Sequence, residues 1–554
     1  MLGRLTDPEI AHRRRWLTLL VLCLSLMVIG IDNTILNVAI PTLAKPTGAG
    51  GLGASASELQ WIVDAYTIVF AGLLLTSGSL GDRFGRYRFL TIGLLIFGAG
   101  SAMSAFAPSA TVLIGTRALM GIGASAIMPA TLSVLTNVFH DPRERAKAIG
   151  VWAGVSAIGI AVGPIAGGVL LEHFWWGSVF LVNVPVVAVA LFAGYLLVPD
   201  SKDPHAGRLD PLGSILSIAG LTVLLWAVIE GPSTGWTSPS ILAGFVVGGA
   251  VLAGFFVWEL KCSNPMLDVH FFENPRFSAA SGAITLAFLA LFGTIFLLTQ
   301  YTQQVLGYST VEAGAIFLPQ SIVLMIFAPL STRWVHKFGS KAVVSIGLFI
   351  LAVSLVLMAT FQTDSSAYWV VAVTALSAFG MAHVVAPATE SIMGSLPRAK
   401  AGVGSAMNDT TRQVGGAVGV ALLGSILASA FRPKVQDLLL GHVPGSLLAK
   451  IEDSLGSALG VARGTPSAKP FAGRIVDAAQ TSFVHGMHAA VLVAAVVAVI
   501  GGIATLIWLP ARARTHPDDI DVVAHDGQAM ADTAVDGDGT ISPRPAPTPS
   551  PTVG

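Results

Sequence analysis

The stretch GVWAGVSAIGIAVGPIAGG, at residues 150–168, decides the fold of this chain. In a soluble helix each of these glycines would cost up to about 1 kcal/mol relative to alanine. In a bilayer, glycines let two helix backbones approach closely, because no side chain separates them. Gly159, Gly163 and Gly167 share one helix face, and Pro164 removes a backbone hydrogen bond and bends the helix. The stretch therefore predicts a membrane helix that packs closely against its neighbours.

The composition of the whole chain agrees with a membrane protein. Of its 554 residues, 53% are hydrophobic and 11% are charged, whereas soluble domains are about 25% charged. Acidic and basic residues are balanced at 31 each, so nothing indicates nucleic acid as a partner. Cys23 and Cys262 are the only cysteines, which argues against a disulfide framework.

Fourteen apolar stretches are long enough to cross about 30 Å of hydrocarbon as helices. Two groups of six flank an extra pair, which predicts an all-α integral membrane protein with 14 transmembrane helices. Such repeated halves are typical of secondary transporters. The predicted segments are a cytoplasmic N-terminus at 1–15, an N-terminal six-helix bundle at 16–198, an extra helix pair at 212–259, a C-terminal six-helix bundle at 278–509 with an external loop at 431–483, and a disordered cytoplasmic tail at 510–554.

The distribution of Lys and Arg between the spans predicts the orientation in the membrane. The predicted cytoplasmic segments carry 21 of these residues, whereas the short external loops carry one, Lys45. Both termini are therefore expected in the cytoplasm. Because the chain carries no nucleotide-binding loop between its spans, uphill transport would draw on an ion gradient.

Three ionisable residues lie inside predicted spans of the first bundle, where each costs about 2.5–3.5 kcal/mol to insert. Asp32, Asp64 and Arg117 all fall roughly 10 Å below the outer surface, although their helices run in opposite directions. Two interpretations remain open. In one, Asp32 and Arg117 form a structural ion pair and Asp64 faces the outer vestibule. In the other, Asp32 exchanges a proton under the influence of the permanent charge on Arg117.

A second set of ionisable residues lies in the later spans, with Glu390 at the inner end of the twelfth. Asp409 and Arg412 are three residues apart and are expected to pair along their own helix. His383 lies deep in the twelfth span, and we expect it to form a hydrogen bond with a neighbouring helix.

Motifs from the first to the thirteenth span resemble those of a known family. The stretch at 150–168 matches the antiporter signature G-x8-G-x3-GP-x2-GG of the major facilitator superfamily. Three further stretches are similar to the drug:proton antiporter-2 family, its fourteen-span multidrug exporters: GIDNTILNVAIP at 30–41, GSLGDRFGRYR at 78–88 and TRALMGIGAS at 116–125. One departure lies in WWGSVFLVNVP at 175–185, where Gly177 replaces an expected Arg, although Phe180, Asn183 and Pro185 remain.

The resemblance implies a major facilitator fold and a role for each motif. Proton coupling is implied for Asp32 and Arg117. A conformational latch between helices is implied for the loop motif, which comprises Gly78, Gly81, Asp82, Arg83, Gly85 and Arg86. A hinge and seal between the two halves is implied for the antiporter motif, which comprises Gly150, Gly159, Gly163, Pro164, Gly167 and Gly168. On a straight helix Gly150 lies about 180° from Gly159, off the shared stripe.

We therefore predict a proton-coupled antiporter that exports amphipathic or cationic drugs across the plasma membrane of a bacterium. Asp64 is the expected counter-charge for a cationic drug, and the expected aromatic walls are Trp61, Tyr66, Phe288 and Phe292. The alternatives are a dedicated exporter of one natural product or lipid, and a membrane receptor that binds its ligand without moving it. We expect no enzyme activity, no metal and no cofactor other than the coupling proton. The expected partners are the small-molecule substrate and membrane lipid, without nucleic acid or an obligatory protein partner.

Overall fold

A computed structural model describes residues 13–43, 47, 51–54, 56–202, 210–397, 400–452 and 454–510. These residues are helical with short connections, and none of them forms a strand. Most of the predicted N-terminal segment, Lys45 and the predicted tail beyond residue 510 lie outside the described residues.

The helices of the first half run from Arg15 to Leu197. They are α1 (Arg15–Leu43), α2 (Ala56–Phe84), α3 (Arg86–Ala105), α4 (Ala110–Val138), α5 (Pro142–His173), the short α6 (Ser178–Leu181) and α7 (Asn183–Leu197). Two further helices follow, α8 (Pro211–Thr234) and α9 (Pro239–Lys261).

The helices of the second half are α10 (Pro275–Gln300), α11 (Thr310–Met358), α12 (Ala367–Met393), α13 (Ala401–Leu439), α14 (Gly445–Ile451), α15 (Leu455–Gly464) and α16 (Ala472–Trp508). The second half contains the three longest described helices, α11, α13 and α16. A π-helical turn at Tyr301–Val305 continues α10. At Gly339 the backbone of α11 leaves helical geometry, with φ 81° and ψ 158°, so a kink divides this helix.

Twelve helical segments of the described chain are long and apolar enough to cross a membrane. Several helices of the chain, including α5, begin with a cap that the sequence encodes. A side-chain oxygen accepts a backbone N–H, and proline follows at the first helical position. These pairs are Asp141 with Pro142, Asp210 with Pro211, Ser238 with Pro239 and Asn274 with Pro275.

A small helical cap connects the end of α13 to the start of α16. The predicted external loop at 431–483 contains the end of α13, the helices α14 and α15, a 3-10 turn at Pro466–Phe471 and the start of α16. Leu447, Ile451, Leu455 and Ile475 form part of its buried core. Gln480 ties the cap to the end of α10, because its side-chain amide donates to the carbonyl oxygen of Val305 at 3.2 Å.

The glycines of the antiporter motif lie on two faces of α5. On the first face, a Cβ on Gly159 would lie 3.1 Å from the carbonyl oxygen of Met27, and one on Gly163 would lie 2.9 Å from that of Ile31, both in α1. Gly167 packs on Ile35 of α1 in the same way. The predicted stripe is therefore the contact between α5 and α1 within the first half.

The second face of α5 meets α11 of the other half. A Cβ on Gly150 would lie 2.6 Å from the Cα of Pro329, and one on Gly168 would lie 2.6 Å from Cγ2 of Val311. Gly154, which lies outside the signature, packs equally closely on Met325. The close contact between the halves thus uses the glycines that lie off the stripe.

We predict that Gly150→Ala lowers the thermal stability of the purified protein, because the added methyl group collides with the backbone of Pro329. Overpacking of this kind costs about 1–3 kcal/mol. Gly249→Ala on α9 is the matched control, since a Cβ there meets no atom within 4 Å. Equal unfolding temperatures for the two variants in detergent would contradict the contact between α5 and α11.

Candidate functional site

A buried ion pair lies where α1 and α4 meet. Nη1 of Arg117 is 2.6 Å from Oδ2 of Asp32, and the carboxylate is fully buried. Nε of Arg117 donates to the carbonyl oxygen of Ile62 on α2 at 3.1 Å. The second oxygen of Asp32 accepts from the side-chain amide of Asn183 on α7 at 3.3 Å. Four helices of the first half therefore converge on this ion pair.

Aromatic rings complete the surroundings of the guanidinium. Cζ of Arg117 lies 4.3 Å from the ring centroid of Tyr66 and 6.0 Å from that of Phe180. A ring face stabilises a cation in a site without water. If Asp32 takes a proton, Arg117 still keeps the Ile62 carbonyl and the Tyr66 ring. The guanidinium therefore has partners other than the Asp32 carboxylate.

Asn183 is a member of this site to which sequence reasoning gave no role. Its amide also donates to Oγ of Ser101 at 3.1 Å, and that hydroxyl donates to the carbonyl oxygen of Phe180 at 2.8 Å. The sequence did contain a signal for this residue. Phe180 and Asn183 belong to the stretch at 175–185, which has the aromatic, Asn and Pro residues typical of the family although Gly177 replaces the expected Arg. Only the structure connects that stretch to Asp32.

A cavity of about 290 Å³ lies between the two halves. The residues that line it come from α1, α2, α4 and α5 on one side and from α10 to α13 on the other. Gly30, Asn33 and Thr34 line it, so α1 borders the cavity next to the buried Asp32. Its polar lining residues are Asn33, Thr34, Ser156, Thr299, Gln303, Gln320, Ser321, Arg412 and Gln413.

The residues predicted to bind substrate are distributed differently. Phe288 and Phe292 line the cavity, with ring centroids 5.8 Å apart. Tyr66 is buried beneath Arg117, Trp61 is 38% exposed, and Asp64 is half-buried on α2. These three residues are not part of the lining of this cavity. The assignment of all five to substrate binding stays a prediction.

The loop motif joins the two halves at the end of the bundle that carries the Lys- and Arg-rich loops, called here the cytoplasmic end. Asp82 accepts hydrogen bonds from the backbone N–H groups of Gly402 and Val403, at 2.9 and 3.1 Å, at the start of α13. Arg86 holds the same carboxylate at 2.7 Å. A carboxylate at a helix N-terminus is stabilised by the helix dipole.

The glycines of the loop motif allow close approach and a tight turn. A Cβ on Gly78 would lie 2.5 Å from the carbonyl oxygen of Gly402, so the backbones of α2 and α13 touch there. Gly85 has φ 110° between α2 and α3, a conformation that favours glycine. Gly81 faces the ring of Phe89, and Arg83 lies in the last turn of α2. Their role in conformational change stays a prediction.

A second polar contact between the halves was not predicted. Nη2 of Arg145 on α5 lies 2.8 Å from Oε1 of Glu390 on α12. Both side chains are largely buried, at 11% and 14% exposure. Together with the contact of Asp82 to α13, this ion pair closes the cytoplasmic end of the interface between the halves.

Comparison with known sequences gives the family of this bundle. The sequence profile of the Major Facilitator Superfamily matches residues 22–420. The chain belongs to that superfamily. It is therefore a transporter and not an enzyme, as predicted from the motifs.

Relatives that this facilitator matches over most of their length are named for multidrug efflux, resistance or export, consistent with the drug:proton antiporter family. It is 38% identical to the multidrug efflux pump LfrA of Mycolicibacterium smegmatis, over 88% of this chain and 96% of the relative. It is 34% identical to the methyl viologen resistance protein SmvA of Salmonella typhimurium, over 85% of this chain and 93% of the relative. It is 31% identical to the tetracenomycin C resistance and export protein of Streptomyces glaucescens, over 89% of this chain and 91% of the relative.

Solved structures agree on the fold of this facilitator. The proton:xylose symporter XylE is similar with a TM-score of 0.58 at 13% identity, over 92% of this chain and 99% of the other. The superfamily, the many apolar helices and the bacterial relatives make it a multi-pass protein of a bacterial plasma membrane, as predicted.

The second half of the facilitator holds a different arrangement of charge. Asp409 and Arg412 do not form the expected ion pair among the described contacts. Oδ1 of Asp409 accepts from the Asn408 amide at 3.2 Å, and Nη2 of Arg412 donates to Oγ1 of Thr389 at 3.0 Å. Nδ1 of His383 contacts the carbonyl oxygen of Phe379, on its own helix rather than on a neighbour, at 2.7 Å.

We predict that Arg145 and Glu390 stabilise the closed cytoplasmic end as a coupled pair. The native cysteines are first removed by Cys23→Ser and Cys262→Ser, and one cysteine is introduced by Ser405→Cys on α13. The rate at which a polar thiol reagent labels this cysteine measures access from the cytoplasmic side. Arg145→Ala and Glu390→Ala should each speed labelling. The double variant should label more slowly than the combined effects of the two single variants predict, by a coupling of about 1–3 kcal/mol, or about 5- to 150-fold. Purely additive effects would contradict the pairing.

Proposed function

We propose that this facilitator is a proton-coupled antiporter that exports amphipathic drugs and related small organic molecules from the bacterial cell. Three full-length relatives named for multidrug efflux, drug resistance or drug export support the choice of cargo. The observation that carries the coupling is the position of Asp32. It is fully buried against Arg117, while its neighbours Asn33 and Thr34 line the cavity.

The position of Asp32 on α1 suggests how cargo and proton exchange. α1 presents Asn33 and Thr34 to the cavity and Asp32 to Arg117, so cargo that displaces α1 changes the distance between the two charges. A guanidinium close to a carboxylate stabilises the charge on the carboxylate, so the proposal links proton binding at Asp32 to its contact with Arg117. Because linkage is reciprocal, cargo binding that releases a proton is itself weakened by proton binding.

In the proposed cycle, the inward-open protein carries a proton on Asp32. Cargo entering the cavity favours deprotonation, and the ion pair with Arg117 forms. The halves then rock, cargo leaves to the outside, and a new proton reloads Asp32. The arrangement with Asp32 paired to Arg117 and the cytoplasmic end closed corresponds to the stage after deprotonation.

The same proposal includes fourteen spans with both termini in the cytoplasm. Twelve candidate spans are supported by length and hydropathy. Two more follow if α5, which is 32 residues long, also crosses, and if α11 is divided at the Gly339 kink into two spans. The excess of Lys and Arg on one side supports the orientation.

A dedicated exporter of one natural product is the second candidate. It is favoured by the relative from Streptomyces glaucescens, which is named for resistance to and export of tetracenomycin C. A resistance profile against dyes, antiseptics and antibiotics separates the two: protection against several unrelated compounds indicates a multidrug exporter, and protection against one indicates a dedicated one.

We predict that Asp32→Asn abolishes proton release on addition of a drug that the wild-type protein exports. An amide of similar size cannot lose a proton at neutral pH, whereas the fold keeps a polar group beside Arg117. The measurement is the pH inside sealed liposomes that contain the purified protein. Asp437→Asn, at an exposed site outside the bundle core, is the matched control and should release protons normally.

Two results would contradict the proposal. Unchanged proton release by Asp32→Asn would remove this residue from the coupling. Drug movement that continues unaltered after the pH difference across the liposomes is collapsed would remove proton coupling altogether.

A further inference from the structure

The cavity between the halves carries a positive charge without a lining carboxylate. Arg412 is the one ionisable side chain among its described lining residues. Asp32 and Asp409 are both fully buried and lie outside the lining. Asp409, three residues before Arg412, interacts with it electrostatically but shares no hydrogen bond with it among the described contacts. Asp64, the predicted counter-charge for cationic drugs, also lies outside it.

The guanidinium of Arg412 is short of hydrogen-bond acceptors. It is 3% exposed, and its one hydrogen bond among the described residues goes from Nη2 to Thr389. Nε is buried without an acceptor there. A guanidinium carries five N–H donors, and leaving buried donors unsatisfied is costly. A group that brings acceptor oxygens into the cavity would therefore be bound favourably.

Aromatic rings hold Arg412 in place beside this gap. Its Cζ lies 4.9 Å from the ring centroid of Trp152 on α5 and 5.1 Å from that of Phe288 on α10. The indole nitrogen of Trp152 is itself fixed by a hydrogen bond to Thr131 at 3.1 Å. A charge held between two rings is preorganised, so little entropy is lost when an acceptor binds to it.

The other lining residues favour a ligand with a flat, apolar ring system. Phe70, Phe288, Phe292 and Phe317 supply aromatic surface, and Gln303, Gln320 and Gln413 supply amides at the margins. Offset stacking against such rings holds planar molecules, and the amides satisfy their polar substituents.

We propose that the cavity selects flat aromatic molecules that carry an acidic oxygen group, such as a carboxylate or phenolate, and places that group on Arg412. This inference rests on the proposed export function and specifies its cargo. It reverses the sign expected from Asp64, because a permanent organic cation in this cavity would meet Arg412, whereas the carboxylate that interacts with Arg412, Asp409, is buried behind the lining.

Two dyes with the same xanthene frame and opposite charge test the proposal. Binding of anionic fluorescein and cationic rhodamine 123 to the full-length chain in lipid nanodiscs is followed by fluorescence anisotropy at fixed pH. The wild-type chain should bind fluorescein more tightly. Arg412→Gln should weaken fluorescein binding at least about tenfold, the loss expected for a charge-assisted hydrogen bond, and leave rhodamine 123 unchanged or tighter.

Further variants keep the test decisive. Arg463→Gln, which removes an exposed charge from α15, is the matched control and should change neither affinity. Gln413→Glu adds a carboxylate to the lining beside Arg412 and should shift the preference toward rhodamine 123 about tenfold or more. This variant carries the test if Arg412→Gln does not fold.

Tighter binding of rhodamine 123 by the wild-type chain, or equal fluorescein binding by wild type and Arg412→Gln, would overturn the inference. So would the absence of fluorescein binding. None of these results affects the export function, which fails only if drug movement in liposomes ignores the pH difference or if cells gain no protection from any drug.

Discussion

The close contact of α5 with two partners constrains the rest of the structure. On one face its glycines bring α1 within backbone distance, and on the other they bring α11 of the opposite half equally near. α1 carries Asp32 on one side and cavity residues on another. A shift of one half against the other along α5 is therefore transmitted to α1, since backbones in contact leave no flexible side chains to absorb it.

The two halves differ in how they satisfy their buried charges. In the first half, Asp32 and Arg117 pair directly, and a backbone carbonyl, Asn183 and the Tyr66 ring complete the site. In the described part of the second half, Arg412 donates one hydrogen bond, lies beside two rings, interacts electrostatically with the buried Asp409 and borders the cavity. In the proposed mechanism, the hydrogen-bonded pair of Asp32 and Arg117 is suited to reversible protonation. The guanidinium of Arg412, which has unsatisfied N–H donors, is suited to binding a ligand with acceptor oxygens.

Much of one helix could be predicted from sequence, but little of the contact between helices. Periodicity placed Gly159, Gly163 and Gly167 on one face and Gly150 opposite, because rotation per residue is fixed. It could not show that the opposite face meets α11. In the same way Glu390 and Arg145 lie 245 residues apart, and only the packed halves bring them together. The sequence placed Tyr66 on a helix of the predicted site. It could not show that the ring packs on Arg117 and does not line the cavity.

The cytoplasmic closure and the cavity share α13. Asp82 binds the backbone of Gly402 and Val403 in the first turn of this helix, and Arg412 follows ten residues later, about 15 Å along the axis. A helix of this length moves nearly as a rigid rod, so opening the contact at Asp82 also displaces the guanidinium. Arg412 in turn touches Trp152 on α5, the helix whose Arg145 forms the second closure. If cargo binds Arg412 as proposed, opening toward the cytoplasm would move the charge that cargo meets and so link the affinity of the cavity to the side on which it is open.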